Sequence, residues 1–175
     1  MEPILNPDCL HGTVMYPDVI VRPCDDGLSL EAQAILDNLV IFVDLSVLED
    51  HDVVQIDARL PLRVPVDRRP AVLEFLARTN LLIRRGGFLM DPDQGRIRFR
   101  GETDVVAPDL RARRTSEAFT ICCCWVDGYF PALVGVALRD LSPEEAMEQS
   151  VDDLWALAKC AVERLQAHQA QQRPM

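Results

Sequence analysis

Three arginines at alternate positions, Arg96, Arg98 and Arg100, are the residues of this chain best suited to recognise another molecule. Alternate side chains of a strand share a face, so the three guanidinium groups point one way and Ile97 and Phe99 the other. Parallel guanidinium groups repel one another unless carboxylates neutralise them. What they bind well is a carboxylate or a phosphate, held through two parallel hydrogen bonds. Arg84 and Arg85, with Arg111, Arg113 and Arg114, are close enough in sequence to extend such a surface. The competing reading is a solvated sheet face balanced by the acidic N-terminal part of the chain.

Other chemistry-bearing residues are less promising. Cys122, Cys123 and Cys124 are consecutive. On a helix they point about 100° apart, so they cannot jointly hold one metal ion. A thiol nucleophile needs a histidine nearby, and the three histidines, His11, His51 and His168, are all distant in sequence. Cys9 with His11 supplies two zinc-ligand types in a proline-rich stretch, too few for a site. Asp91, Asp93 and Gly95 echo the start of a calcium loop, but its third acid and distal glutamate are missing, so a plain hairpin turn is expected. No glycine pattern forms a phosphate loop. No catalytic residue, metal or cofactor is expected.

Composition bounds the class. The chain has 175 residues, 49% hydrophobic and 26% charged, with a formal net charge of −10. That is an ordinary globular balance, and it disfavours a general nucleic-acid binder. The charge is uneven: −11 over residues 1–58, +6 over residues 59–114 and −5 over residues 115–175. The arginine row lies inside the only basic stretch. The six cysteines suit no disulfide framework. No long apolar run and no basic, then apolar, leader is read, so a cytoplasmic protein with no membrane segment is expected.

The elements that must position these residues read as follows. Residues 1–28, with four prolines, read as an irregular extension packed on the domain, Thr13 to Arg22 forming at most a broken edge strand. Ser29 as N-cap, followed by Leu30, Ala34, Ile35 and Leu36, reads as a short helix to Asn38. Leu39 to Leu48 and Val53 to Val64 read as an antiparallel hairpin. Asp67 and Pro70 start a helix that Gly86-Gly87 ends. Phe88-Leu89-Met90, the turn Asp91 to Gly95 and Arg96 to Arg100 form a second hairpin. Residues 104–114 read as a charged connection. Thr115 or Ser116 caps a long helix that Pro131 kinks or splits, because proline cannot donate to the carbonyl of Asp127. Ser142-Pro143-Glu144-Glu145 starts another helix, and Val151 to Gln169 reads as an amphipathic last one carrying Trp155. The fold class is therefore α+β. Its architecture is a two-layer sandwich, an antiparallel sheet of two hairpins with helices packed on one face. The domain spans 29–149, with a C-terminal helix and tail over 150–175.

This order, over about residues 53–149, resembles the YbjN family. The matching stretches are Arg63-Val64-Pro65, Leu76 to Asn80, Gly87 to Pro92, Gly95 to Arg100, Asp127 to Leu133 and Pro143 to Ala146. The resemblance implies a fold similar to the chaperones of type III secretion, and small acidic proteins that pair as homodimers. It also implies a protein partner or client bound through an extended segment. It carries over no catalytic residue. The expected function is a non-catalytic protein-binding or chaperone-like module that engages its partner at a sheet edge or at the face of Arg96, Arg98 and Arg100, with Arg84 and Arg85. The alternatives are a regulatory domain binding a small anionic ligand and, less favoured by the residues, a thiol-dependent enzyme.

Overall fold

Alternation of apolar and polar residues builds one six-stranded antiparallel sheet. The computed structural model describes residues 5, 7, 10, 18–48, 53–104 and 108–150. The strands are β1 (Val19–Pro23), β2 (Ser29–Ile35), β3 (Val40–Leu48), β4 (Val53–Arg63), β5 (Gly87–Met90) and β6 (Arg96–Asp104), in the order β1-β2-β3-β4-β6-β5. The helices are α1 (Arg69–Asn80), α2 (Pro108–Leu138) and α3, seen over residues 143–150. Helices α1 and α2 pack on one face of the sheet, against β4, β5 and β6. The fold is α+β with mixed helix and strand content.

The core lies between these layers. Phe75 of α1, Phe88 of β5, Phe99 of β6 and Phe119 and Tyr129 of α2 are its large side chains. Phe88 meets Phe99 edge to face at 5.1 Å and Tyr129 at 6.1 Å. Leu5 and Leu10, from the N-terminal segment, are buried in the same cluster.

Several expectations are corrected. Residues 29–35 form β2, not a helix. Leu30, Ala32 and Ala34 are buried while Glu31 and Ile35 face outward, a period of two that the run Ala34-Ile35-Leu36 disguises. Pairing on both sides, to β1 and to β3, overrides weak local helix preference. Residues 19–23 are a regular edge strand of this sheet, so the ordered sheet begins before residue 29 and has six strands where two hairpins predict four. Asp67 sits in a 3-10 turn, Val66–Arg68, and α1 starts without a side-chain cap. The segment read as a charged connection already belongs to α2, which begins at Pro108, and Thr115 and Ser116 lie inside it. The expected last helix, with Trp155, lies outside the described residues.

Pro131 neither splits nor ends α2. It leaves the carbonyl of Asp127 without its helical donor, and Asn38 supplies a replacement, its Nδ2 donating to that oxygen at 3.2 Å. The Asp127 carboxylate, fully buried, in turn accepts the backbone N–H of Asn38 at 2.8 Å and of Asp37 at 3.3 Å. The β2–β3 turn is thereby clasped to the middle of α2. Arg68 fastens the far end of α2, donating through Nε and Nη2 to the carbonyl of Val136 at 3.0 and 2.7 Å and pairing with Asp140 at 2.8 Å. A cation there complements the negative end of the helix dipole. The expected helix start at Ser142 is a capping box on α3, Glu145 N to Ser142 Oγ at 3.2 Å and Ser142 N to Glu145 Oε2 at 3.0 Å.

Candidate functional site

The register of the strands decides what the arginine row meets. On the sheet face that α1 and α2 leave open, Arg100 of β6 stands opposite Asp57 of β4, and Arg98 opposite Arg59. On the other side of β4, Asp57 stands opposite Asp44 and Arg59 opposite Phe42. Arg100 donates to Asp57 Oδ2 through Nη2 at 2.8 Å and Nε at 3.2 Å, and Arg98 Nη1 lies 3.4 Å from the same oxygen. Arg59 pairs with Asp44 at 2.9 Å, and burial still pushes the Asp44 carboxyl up despite that arginine. Two acids of the N-terminal third thus neutralise three of the arginines in place. Arg96, at the turn end of β6, has no ion pair among the described residues.

The turn between β5 and β6 is structural. Asp91 Oδ1 accepts the N–H groups of Asp93 and Gln94, both at 2.8 Å. Those bonds, that of Gln94 first, hold its carboxyl below the usual range. Gly95, at φ +66°, presses against the residue that follows β4, where a Cβ would lie 2.4 Å from the carbonyl of Val64.

Arg84 and Arg85 occupy the loop between α1 and β5. Asn80, the last residue of α1, shapes that loop by donating from Nδ2 to the Phe88 carbonyl at 2.9 Å and accepting the Phe88 N–H on Oδ1 at 2.8 Å. It thereby fills an outward backbone position of edge strand β5. Gly86 follows at φ +87°, with no room for a Cβ against the Arg100 carbonyl at 2.4 Å. Three hollows meet at Arg85. One of about 630 Å³ is lined by Arg85, Arg100, Asn80 and Glu102, among others. One of about 250 Å³ includes Arg85, Arg114, Glu117 and Ile121. One of about 570 Å³ is formed by Leu82, Arg84, Arg85, Ile121, Cys124 and Trp125. The structure therefore brings Arg85 and Arg100 to one hollow and Arg84 and Arg85 to another, while Arg96 and Arg98 line none of these three. Arg113 is paired with Glu117 at 2.8 Å, and the side chain of Arg111 lies outside the described residues.

Sequence reasoning missed an apolar corner of the open face. Ile20, Ile35, Val40 and Phe42 are exposed there, Ile20 by 55% and Phe42 by 54%. The run Val40 to Val43 reads as a strand buried on both faces, but only Ile41 and Val43 are buried. The signal was the polar partners Glu31 and Gln33 on the neighbouring strand. This corner adjoins the β1 edge. Asp18 O and Cys24 N bond to β2, so by alternation Val19 and Val21 present their backbone groups outward, and Pro23 only its carbonyl.

Cys122 and Cys123 are buried in the core, and burial pushes both thiols well up, which starves them of nucleophilic thiolate. Cys9, His11, His51 and His168 lie outside the described residues. Among the described residues, no group of three His, Cys, Asp or Glu side chains is placed to hold a metal ion. Helix α2 contains, contrary to expectation, a stretch long and apolar enough to cross a membrane, Ala112–Leu138. Most of its apolar window is packed inside the fold, where it serves as the core helix. Comparison with protein-family models, with curated proteins and with solved structures gives no match.

Proposed function

We propose that this protein is a non-catalytic, chaperone-like module of the cytoplasm that binds an extended segment of a protein partner and pairs as a homodimer, as the resemblance to the YbjN family implies. The observation that carries the reading is the β1 edge beside the apolar corner of Ile20, Ile35, Val40 and Phe42. The opposite edge, β5, is partly filled by Asn80. A segment added to β1 would gain main-chain hydrogen bonds and lay alternate apolar side chains on the corner. The central arginines serve this face differently from the expectation. Arg98 and Arg100, held by Asp57, keep the middle of the face hydrated and bias the partner toward the apolar end.

Capture from native lysate by the wild-type chain, by Phe42→Glu and by the triple change of Arg96, Arg98 and Arg100 to Ser tests it. A defined client lost with Phe42→Glu and kept by the triple variant is the expected result. A chain that retains nothing, or a client indifferent to Phe42→Glu, overturns it. Light scattering after size exclusion checks the dimer.

A second reading, a regulatory domain for a small anionic ligand, is favoured by one observation, that Arg85 and Arg100 line the same hollow of about 630 Å³. It expects a thermal shift with inorganic phosphate that Arg85→Ser abolishes.

A further inference from the structure

We infer that the groove between the α1–β5 loop and α2 is a second docking site, for an acidic protein segment carrying one large apolar side chain. This inference rests on the protein-binding reading but uses a different surface.

The apolar half of the site is the hollow of about 570 Å³ lined by Trp125, Cys124, Ile121 and Leu82. Leu82 is 53% exposed and Ile121 45%, so two aliphatic side chains stand in water at its rim. The Trp125 ring is backed by buried Tyr129, on which it stacks at 5.8 Å with an interplanar angle of 16°. A phenylalanine or leucine side chain laid there removes apolar surface on both partners from water.

The polar half is cationic. Arg84 and Arg85 line the hollow, and Arg114 lines the adjoining one, which shares Arg85 and Ile121 with it. Several arginines of the basic stretch are matched, Arg59 to Asp44, Arg78 to Glu74, Arg98 and Arg100 to Asp57, and Arg113 to Glu117, while Arg63 and Arg69 are held by backbone carbonyls. Arg84, Arg85 and Arg114 have no ion pair among the described residues. The chain has a net charge of −10, yet no acid among the described residues pairs with these three. Guanidinium groups beside an apolar hollow select carboxylates flanking an apolar anchor, through bidentate contacts that lysine would not reproduce. The groove is open and continuous with the next hollow, which suits an extended chain crossing it rather than an enclosed small molecule.

The test is titration of a fluorescein-labelled peptide, one Phe flanked by Asp and Glu, against the full chain bearing Trp155→Phe, so that Trp125 is the only tryptophan emitting. Saturable binding at low salt with a change in Trp125 emission is expected. Arg84→Ser with Arg85→Ser should weaken it about tenfold or more. Arg84→Glu with Arg85→Glu should transfer preference to the same peptide with Lys in place of its acids. These positions are exposed, and circular dichroism checks that the variants fold. Equal binding of the Lys peptide to the unaltered arginines overturns the inference, as does no binding. Competition by inorganic phosphate as complete as by unlabelled peptide also overturns it, in favour of a small-anion site. Binding that survives the Arg84 and Arg85 changes but fails with Phe42→Glu overturns the groove and leaves the β1-edge reading standing.

Discussion

Asp127 and Asn38 hold each other at two points: Asn38 gives its backbone N–H to the Asp127 carboxylate at 2.8 Å and its side-chain amide to the Asp127 carbonyl at 3.2 Å. The second contact exists because Pro131, one turn on, has no N–H to give. The proline that ought to break α2 instead creates the acceptor that docks the β2–β3 turn. Asn38→Ala should therefore destabilise the protein by about 1–3 kcal/mol, the cost of leaving a buried carbonyl unpaired. With Pro131→Ala also in place, the new backbone N–H restores the helical donor and the Asn38→Ala cost should fall. A double-mutant cycle in urea measures this coupling, and strictly additive effects would refute the account.

The same carboxylate carries a pH signature. Burial pushes the Asp127 carboxyl up from 3.8, and the N–H groups of Asn38 and Asp37 only partly oppose it. The folded chain therefore takes up this proton at a higher pH than the unfolded chain does. Above the folded value the buried charge costs stability, and that cost is relieved as pH falls through the folded value toward 3.8. Measured against Asp127→Asn, the wild type should gain relative stability on mild acidification. A relative loss over that range would show that hydrogen bonding, not desolvation, governs the group.

Asp57 is the neutraliser of the arginine row. Its side chain is 13% exposed and serves Arg98 and Arg100 together. Asp57→Asn should lower stability by about 1–2 kcal/mol, since hydrogen bonds to charged groups exceed neutral ones. It should also free two arginines for anions, so inorganic phosphate should raise the melting temperature of Asp57→Asn more than that of the wild type. Equal shifts would mean the row is already available.

Thiol reactivity should map burial. Cys122 and Cys123 should stay unmodified by iodoacetamide at mildly alkaline pH until the chain is unfolded, by peptide mass mapping. Native labelling at the rate of an exposed cysteine would reopen the thiol-enzyme alternative.

Tyr129 buries a hydroxyl with no hydrogen-bond partner among the described residues, and burial pushes its pKa up. Tyr129→Phe keeps the ring contacts with Phe75, Phe88 and Trp125. It should be neutral or stabilising by up to about 1 kcal/mol. A loss larger than that would reveal a partner for the hydroxyl.

How much of this was legible in sequence varies with the range of the interactions. The β5–β6 hairpin was, because its turn chemistry and its alternation of Ile97 and Phe99 with arginines are local. So was the helix start at Ser142, though not the return bond to Glu145. The helix read over residues 29–38 was not, because Ala34-Ile35-Leu36 suits either period and only the neighbouring strands β1 and β3 decide between them. The start of α2 was missed for a related reason: Pro108 reads as a breaker, yet at the first position of a helix its missing N–H costs little.

By itself, the sequence determined that Ile97 and Phe99 form the apolar side of β6, that Arg96, Arg98 and Arg100 share the other, and that the basic stretch is confined to residues 59–114. Those properties follow from side-chain alternation and composition, which need no partner. Only the tertiary structure decided which arginines are spent. Strand register set Asp57 opposite Arg100 and Asp44 beside Arg59, while the loop after α1 set Arg84 and Arg85 beside Trp125, with no acid paired to them among the described residues. Ion pairing acts over a few ångströms, and the Arg100–Asp57 pair joins residues 43 apart in the chain, so no local pattern encodes it.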